Sequence, residues 1–192
     1  PYDFRTEVTD DVKLYAKWTA DTYAVVYNKN TENEVAVPSG QTKKHDNVLI
    51  LSPKAPVRTG YTFKGWNTKA DGTGTSYSAG SELSVNADIT LYAQWEINKF
   101  AITLITGEGV TGSLSANEVV YNGTVNVSAV SGAGYNPPVI TAVPRENAEL
   151  VSEGVYRITG SVSFIAAAQP GKIYTASFYI DNGLYYTQSA IE

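Results

Sequence analysis

The chain has 192 residues, of which 43% are hydrophobic, and a formal net charge of −5, which permits a buried core and argues against wholesale disorder. It contains no Cys, and this excludes disulfides, thiol nucleophiles and thiolate zinc sites. A mildly acidic chain without a basic stripe argues against partners such as nucleic acid or anionic membrane surfaces, which are bound mainly through Lys and Arg.

The chain shows no segment suited to crossing a membrane, because no apolar run approaches the roughly 18 residues that a spanning helix needs. It also lacks Met, even at position 1. We therefore expect an internal piece of a longer protein, with no membrane span in this part.

An internal repeat organises the first half of the chain. The segment EVTDDVKLYAKW ends at Trp18 and SVNADITLYAQW ends at Trp95, 77 residues later, with six of twelve positions identical. Both alternate apolar and polar residues, which predicts a closing strand with one face on a core. The predicted core faces are Val12, Leu14, Ala16 and Trp18 in the first copy, and Ile89, Leu91, Ala93 and Trp95 in the second. An opening strand is predicted after each copy, from Tyr23 and from Phe100.

The pattern divides the chain into four segments. These are the closing strand of a preceding repeat at 1–21, a complete repeat at 22–97, a diverged β module at 98–171, and a terminal hairpin or the start of a further module at 172–192. A weaker closing strand, SVSFIAA, occupies 161–167, and Asn182-Gly183 between apolar runs predicts a hairpin turn. VLILS at 48–52 predicts a further strand, and no convincing amphipathic helix is found.

The stretch GYTFKGW at 60–66 carries three aromatic residues. Tyr61 and Phe63 share one strand face, and a bulge at Gly65 would bring Trp66 onto the core side beside Phe63. This favours a structural role for Trp66. The alternative is that Tyr61 and Trp66 form an exposed platform for stacking a sugar ring.

The stretch that follows, KADGTGTSYSAG at 69–80, predicts a tight loop around Asp71. A single carboxylate falls far short of a calcium loop, so an Asx turn is the favoured interpretation and metal binding the weaker one. The sole imidazole is that of His45, which stands beside Asp46 in a polar run. No nucleophile motif accompanies this pair, so we predict that His45 is a solvated loop residue.

An intramolecular isopeptide bond is a further hypothesis, because Lys and Asn are both available. Such a bond needs a buried Lys, an Asn and a catalysing carboxylate together. Lys64, inside the strand TFKGW, is the best candidate in the sequence, although a place on the exposed face suits it better.

The motifs GYTFKGW, DGTGTSY and TLYAQW stand in order and at ordinary spacing, and together they resemble the Listeria–Bacteroides repeat, also called the internalin B-type repeat. The resemblance covers 22–95 and the tail of a preceding copy at 1–18. It implies a mainly β fold of tandem small β-grasp-like (ubiquitin-like) modules in an elongated array, found in exported bacterial surface proteins. It brings no catalytic residues.

We therefore expect a non-enzymatic repeat region of a bacterial surface or cell-wall protein, acting as a stalk or adhesive surface, with no cofactor, metal or catalytic residue. Expected partners are neighbouring modules and a surface protein or glycan of a host or neighbouring cell. The possible ligand contacts are Tyr15, Tyr61, Trp66 and Tyr92. The alternative function is a carbohydrate-binding accessory region of a secreted polysaccharide-active enzyme.

Overall fold

The computed structural model describes residue 5, residues 7–180 and residues 183–191. Within these residues the secondary structure consists of 17 strands and one short 3-10 helix, so the prediction of a mainly β protein is confirmed. No helix in this part of the chain is long and apolar enough to cross a bilayer. Two compact units are present: Pro1–Val57 with Phe63–Gln94, and Arg58–Thr62 with Trp95–Glu192.

The first unit is built on a five-stranded sheet. Its strands are β1 (Thr22–Asn28), β2 (Gln41–Lys44), β3 (Leu49–Ile50), β4 (Tyr61–Asn67), β5 (Ser76–Tyr77), β6 (Glu82–Leu83) and β7 (Ile89–Ile97). The sheet order is β2-β1-β7-β4-β5, and β3 pairs separately with β6. The strand β1 runs antiparallel to β2 and parallel to β7, so the first and last strands of the unit are neighbours.

The alternation that predicted β1 and β7 corresponds to burial. In β1, Val25 and Tyr27 are buried and Tyr23 is half-buried. In β7, Leu91 and Ala93 are fully buried. The period-two pattern thus fixes which side of each strand meets the core, as expected for a sheet with one covered face.

The second unit contains two four-stranded sheets that share one core. Its elements are β8 (Lys99–Thr106), β9 (Val110–Leu114), β10 (Glu118–Val120), β11 (Thr124–Ser131), β12 (Val139–Val143), the 3-10 helix (Arg145–Asn147), β13 (Ala148–Ser152), β14 (Val155–Ile158), β15 (Val162–Ala167), β16 (Ile173–Ile180) and β17 (Gly183–Ile191). The sheet orders are β10-β8-β15-β12 and β13-β14-β11-β9. Both sheets contribute buried side chains to the core: Ile102, Val119, Val125, Val127, Ile158, Val162 and Phe164.

The second unit repeats one feature of the first. Its opening strand β8 pairs in parallel with its closing strand β15, from Ile102–Val162 to Thr106–Ala166. At the alternating positions of β15, Val162, Phe164 and Ala166 are buried, while Ala168, directly after the strand, is half-buried. In both units, therefore, an opening strand (β1 or β8) lies beside a later strand (β7 or β15) that runs in the same direction, and in the second unit β16 and β17 follow β15.

The end of the chain forms the predicted hairpin strands, since β16 pairs antiparallel with β17. The predicted turn residue Asn182 lies outside the described residues. The segment 81–88 contains the short strand β6.

The prediction of a closing strand at 12–18 is wrong in this structure. The described residues 7–21 form no strand, and Trp18 is 89% exposed, with Val12 and Leu14 about half exposed. A strand needs a partner for its backbone groups and a second layer for its apolar face. No described strand pairs with this segment, so its alternating pattern has no core to cover.

Candidate functional site

Trp66 lies in the core of the first unit and not on its surface. Its side chain has 0% exposure, and its ring centroid lies 4.7 Å from that of Tyr27 and 5.0 Å from that of Phe63. Gly65 has a φ of +126°, a conformation that side-chain-bearing residues rarely adopt. This break in the strand lets Phe63 and Trp66 meet although their spacing is odd. The core interpretation of Trp66 is confirmed, and its ring offers no face to a ligand.

Asn67, the next residue, is a buried polar side chain that the sequence analysis missed. It is 1% exposed. Its Nδ2 donates to the carbonyls of Gly72 and Gly74 and to Ser76 Oγ at 3.0–3.2 Å. Its Oδ1 accepts from the backbone N–H groups of Lys69 (2.8 Å) and Gly74 (3.0 Å). The amide thus uses its full capacity to hold the loop 67–76.

Asp71 closes the tip of that loop as the predicted Asx turn. Its Oδ1 accepts from Thr73 N (3.0 Å) and Thr73 Oγ1 (2.8 Å). In the part of the chain that the structure describes, no group of three His, Asp or Glu side chains is placed to hold a metal ion. The geometry of the loop comes from its own hydrogen bonds.

The pKa of the Asp71 carboxyl is lowered, first by the hydrogen bond from the backbone N–H of Thr73 and then by that from its hydroxyl. These bonds favour the ionised form, so the stabilisation that they give is present above the pKa of the unfolded chain and is lost as the pH falls through the folded-state pKa. We expect Thr73→Ala to raise the pKa of Asp71, measured by NMR titration, without restoring its ordinary value, because the backbone donor remains. An unchanged pKa in Thr73→Ala would contradict this account.

The other three predicted contact residues differ in their surroundings. Tyr15 is 86% exposed, and Tyr92 is half-buried on β7. Tyr61 is half-buried, and the guanidinium of Arg58 lies 3.6 Å from its ring centroid. The same guanidinium lies 5.8 Å from the ring of Trp95, so Tyr61 belongs to a cation–π stack.

His45 was predicted to be a solvated loop residue, but both of its ring nitrogens lie close to another side chain. Its Nδ1 lies 2.8 Å from the hydroxyl of Tyr23, and its Nε2 lies 3.4 Å from Asp46 Oδ1. Adjacency in a loop does not by itself predict such contacts. Because Tyr23 stands on β1, the imidazole ties this strand to the turn that follows β2.

Comparison with known proteins bears on the same region. Residues 23–94 match the family model of the Listeria-Bacteroides repeat domain. The chain is 39% identical over 75 residues to Internalin H of Listeria monocytogenes, an alignment that covers 39% of this chain and 13% of the relative.

Two further relatives come from Evansella cellulosilytica, and their names describe them as membrane proteins, one of them Gly-rich. Each is 34% identical to this chain, over 102 and 100 residues; the alignments cover 52% and 50% of this chain but 12% and 15% of the relatives. The chain thus spans a small part of the curated relatives that it matches. No solved structure matches it. The family match and the three motifs together establish that residues 23–94 are a Listeria-Bacteroides repeat domain.

Proposed function

We propose that this chain is a non-enzymatic repeat region of an exported bacterial surface or cell-wall protein and that it serves as a spacer that carries tension. The repeat domain at 23–94 and its similarity to Internalin H and to proteins named as membrane proteins support this placement. The observation that carries the mechanical part is the parallel pairing of β1 with β7 and of β8 with β15.

The parallel pairing of β1 with β7 determines how the first unit responds to tension. In the first unit the pairing runs from Val25–Ile89 to Asn28–Tyr92, so the start of β1 and the end of β7 lie at opposite ends of the sheet. Tension on the chain then pulls the two strands along their length in opposite directions. All hydrogen bonds between them are loaded together, whereas pulling an antiparallel hairpin at its open end breaks its bonds one pair at a time.

We further propose that the first unit is a β-grasp-like module. The support is its mixed sheet, in which β1 and β7 are parallel neighbours at the centre and β2 and β5 lie at the edges. We also propose that the chain is a tandem array of modules, divided into the segments 1–21, 22–97, 98–171 and 172–192.

An adhesive surface is part of the same proposal. Tyr15 is exposed, while Tyr92 and Tyr61 are half-buried, and Tyr supplies contact area at a small entropic cost. A surface protein or glycan of a host or neighbouring cell is the proposed class of partner.

Single-molecule force spectroscopy tests the mechanical proposal. The chain has no Cys, so handles can be attached at introduced cysteines without side reactions. In the double variant Asp21→Cys and Glu96→Cys, force acts along β1 and β7 in shear. We expect this unit to rupture at a force several-fold higher than in the unzipping control.

The control uses Asp21→Cys with Lys44→Cys. Thr22 pairs with Lys44 at the open end of the antiparallel β1–β2 ladder, so these handles separate the strands one pair at a time in the same unit. Equal rupture forces in the two geometries would overturn the tension-carrying role.

A further inference from the structure

Lys43 is a buried lysine in the first unit. It lies on β2 with 1% exposure, which is rare for this residue type. Its Nζ lies 2.5 Å from Asn86 Oδ1, 3.3 Å from the carbonyl of Lys44 and 5.8 Å from the ring centroid of Tyr23. Among the described residues, no carboxylate forms an ion pair with it. A buried ammonium without a counter-charge carries a large desolvation cost.

The side-chain amide of Asn86 is held between Lys43 and Asp46. Its Oδ1 accepts from Lys43 Nζ and, at 3.1 Å, from the backbone N–H of Asp46. Its Nδ2 donates to Asp46 Oδ1 at 2.8 Å. The Asn86 amide thus contacts the amine of Lys43 through Oδ1 and the carboxylate of Asp46 through Nδ2.

We propose that Lys43 and Asn86 form an intramolecular isopeptide bond, with Asp46 holding and polarising the Asn86 amide. The neutral amine attacks Cγ of Asn86, and the bond between Nζ and Cγ forms. The negative charge that develops on Oδ1 is stabilised by the backbone N–H of Asp46. Nζ releases one proton to water before the attack and one after it, and Nδ2, which is held by Asp46 Oδ1, takes up one proton. The bond between Cγ and Nδ2 then breaks and ammonia leaves.

The reaction is balanced without any co-reactant: an amine and a primary amide give a secondary amide and ammonia. The product removes the buried charge and keeps a hydrogen-bonding amide in its place. Lys64, the residue that the sequence favoured for such a bond, is exposed on β4 and lacks the burial that the reaction needs. Lys43 instead is buried, and its Nζ contacts the exposed Asn86.

The bond would close a covalent ring from residue 43 to residue 86. It would join β2 to the segment that leads into β7, and the chain between them could not extend under tension. This inference goes beyond the proposed spacer function. It does not depend on that function, because the chemistry of Lys43 and Asn86 is the same whether or not the chain carries tension.

Intact-mass spectrometry of the purified chain tests the proposal. We expect a mass below the sequence mass by one ammonia molecule. After trypsin digestion, we expect one branched peptide that contains both Lys43 and Asn86, with no cleavage after Lys43. A chain at its full sequence mass would overturn the proposal.

Variants separate this bond from other losses of ammonia. Asn122-Gly123 can also release ammonia by closing to a succinimide, and a loss from that source would persist when Lys43 or Asn86 is replaced. Lys43→Met and Asn86→Ala are expected to show their full sequence masses, whereas Lys44→Met, which changes the exposed neighbour, keeps the loss. An ammonia loss that persists in Lys43→Met overturns the proposal, and the unmodified chain decides it even if a variant does not fold.

Asp46→Asn tests the role of the Asp46 carboxylate at the Asn86 amide. Asp46 has a φ of +57°, which Asn tolerates well, so the turn is retained while the carboxylate is lost. We expect the full sequence mass for this variant. Complete bond formation in Asp46→Asn would overturn the role assigned to Asp46.

Discussion

Trp66→Ala is expected to lower the free energy of unfolding of the first unit by about 3–5 kcal/mol, as for other large aromatic residues removed from a core. The ring is fully buried and packs against Tyr27 and Phe63, so its removal leaves a cavity between them. Since a typical domain is stable by about 5–15 kcal/mol, this loss removes a large share of the stability of the unit. Urea denaturation followed by circular dichroism measures the change.

Two variants control this result. Trp18→Ala removes an indole that is 89% exposed, and we expect a change within about 0.5 kcal/mol. Trp66→Phe keeps a ring between Tyr27 and Phe63, and it removes an Nε1 that has no hydrogen-bond partner among the described residues. We expect Trp66→Phe to cost clearly less than Trp66→Ala. Similar losses for Trp66→Ala and Trp18→Ala would contradict the core role of Trp66.

Asn67→Ala is expected to cost about 3 kcal/mol, because buried groups that lose a partner each carry a penalty of about 1–3 kcal/mol. The variant would leave the carbonyls of Gly72 and Gly74 and the N–H of Lys69 without their partner in the folded loop. Urea denaturation measures this loss, and faster proteolysis within 67–76 should accompany it.

Asn47→Ala is the matched control for Asn67→Ala. Asn47 is exposed and lies in the turn after β2, so its replacement should change the free energy of unfolding by no more than about 0.5 kcal/mol. A comparable effect of the two substitutions would show that Asn67 does not hold the loop.

The strands of the first unit and its aromatic core were predictable, because apolar alternation reports which face is covered. Leu91 and Ala93 follow that rule directly. Trp66 required one further inference, that Gly65 breaks the alternation. The same reasoning failed for Trp18, because a pattern describes a strand's faces but does not say whether another strand lies beside it.

The polar interior was less accessible to sequence reasoning. Asn67 and Lys43 are residue types that usually lie at the surface, and only their partners explain their burial. Those partners, Gly74 and Asn86 among them, are brought close by loops whose paths leave no periodic signal. The one available sign for Asn67 was its place directly after a core tryptophan and before a glycine-rich loop.

The loop held by Asn67 leaves several of its outward side chains without a structural task. Four of the five hydrogen bonds of that amide go to backbone atoms, and the carbonyl of Ala70 is likewise bound by Asn30. Backbone atoms are present whatever residue occupies the position. Lys69, Ala70 and Thr75, all exposed, can therefore be exchanged freely, and successive copies of such a repeat can display different chemistry on an identical frame.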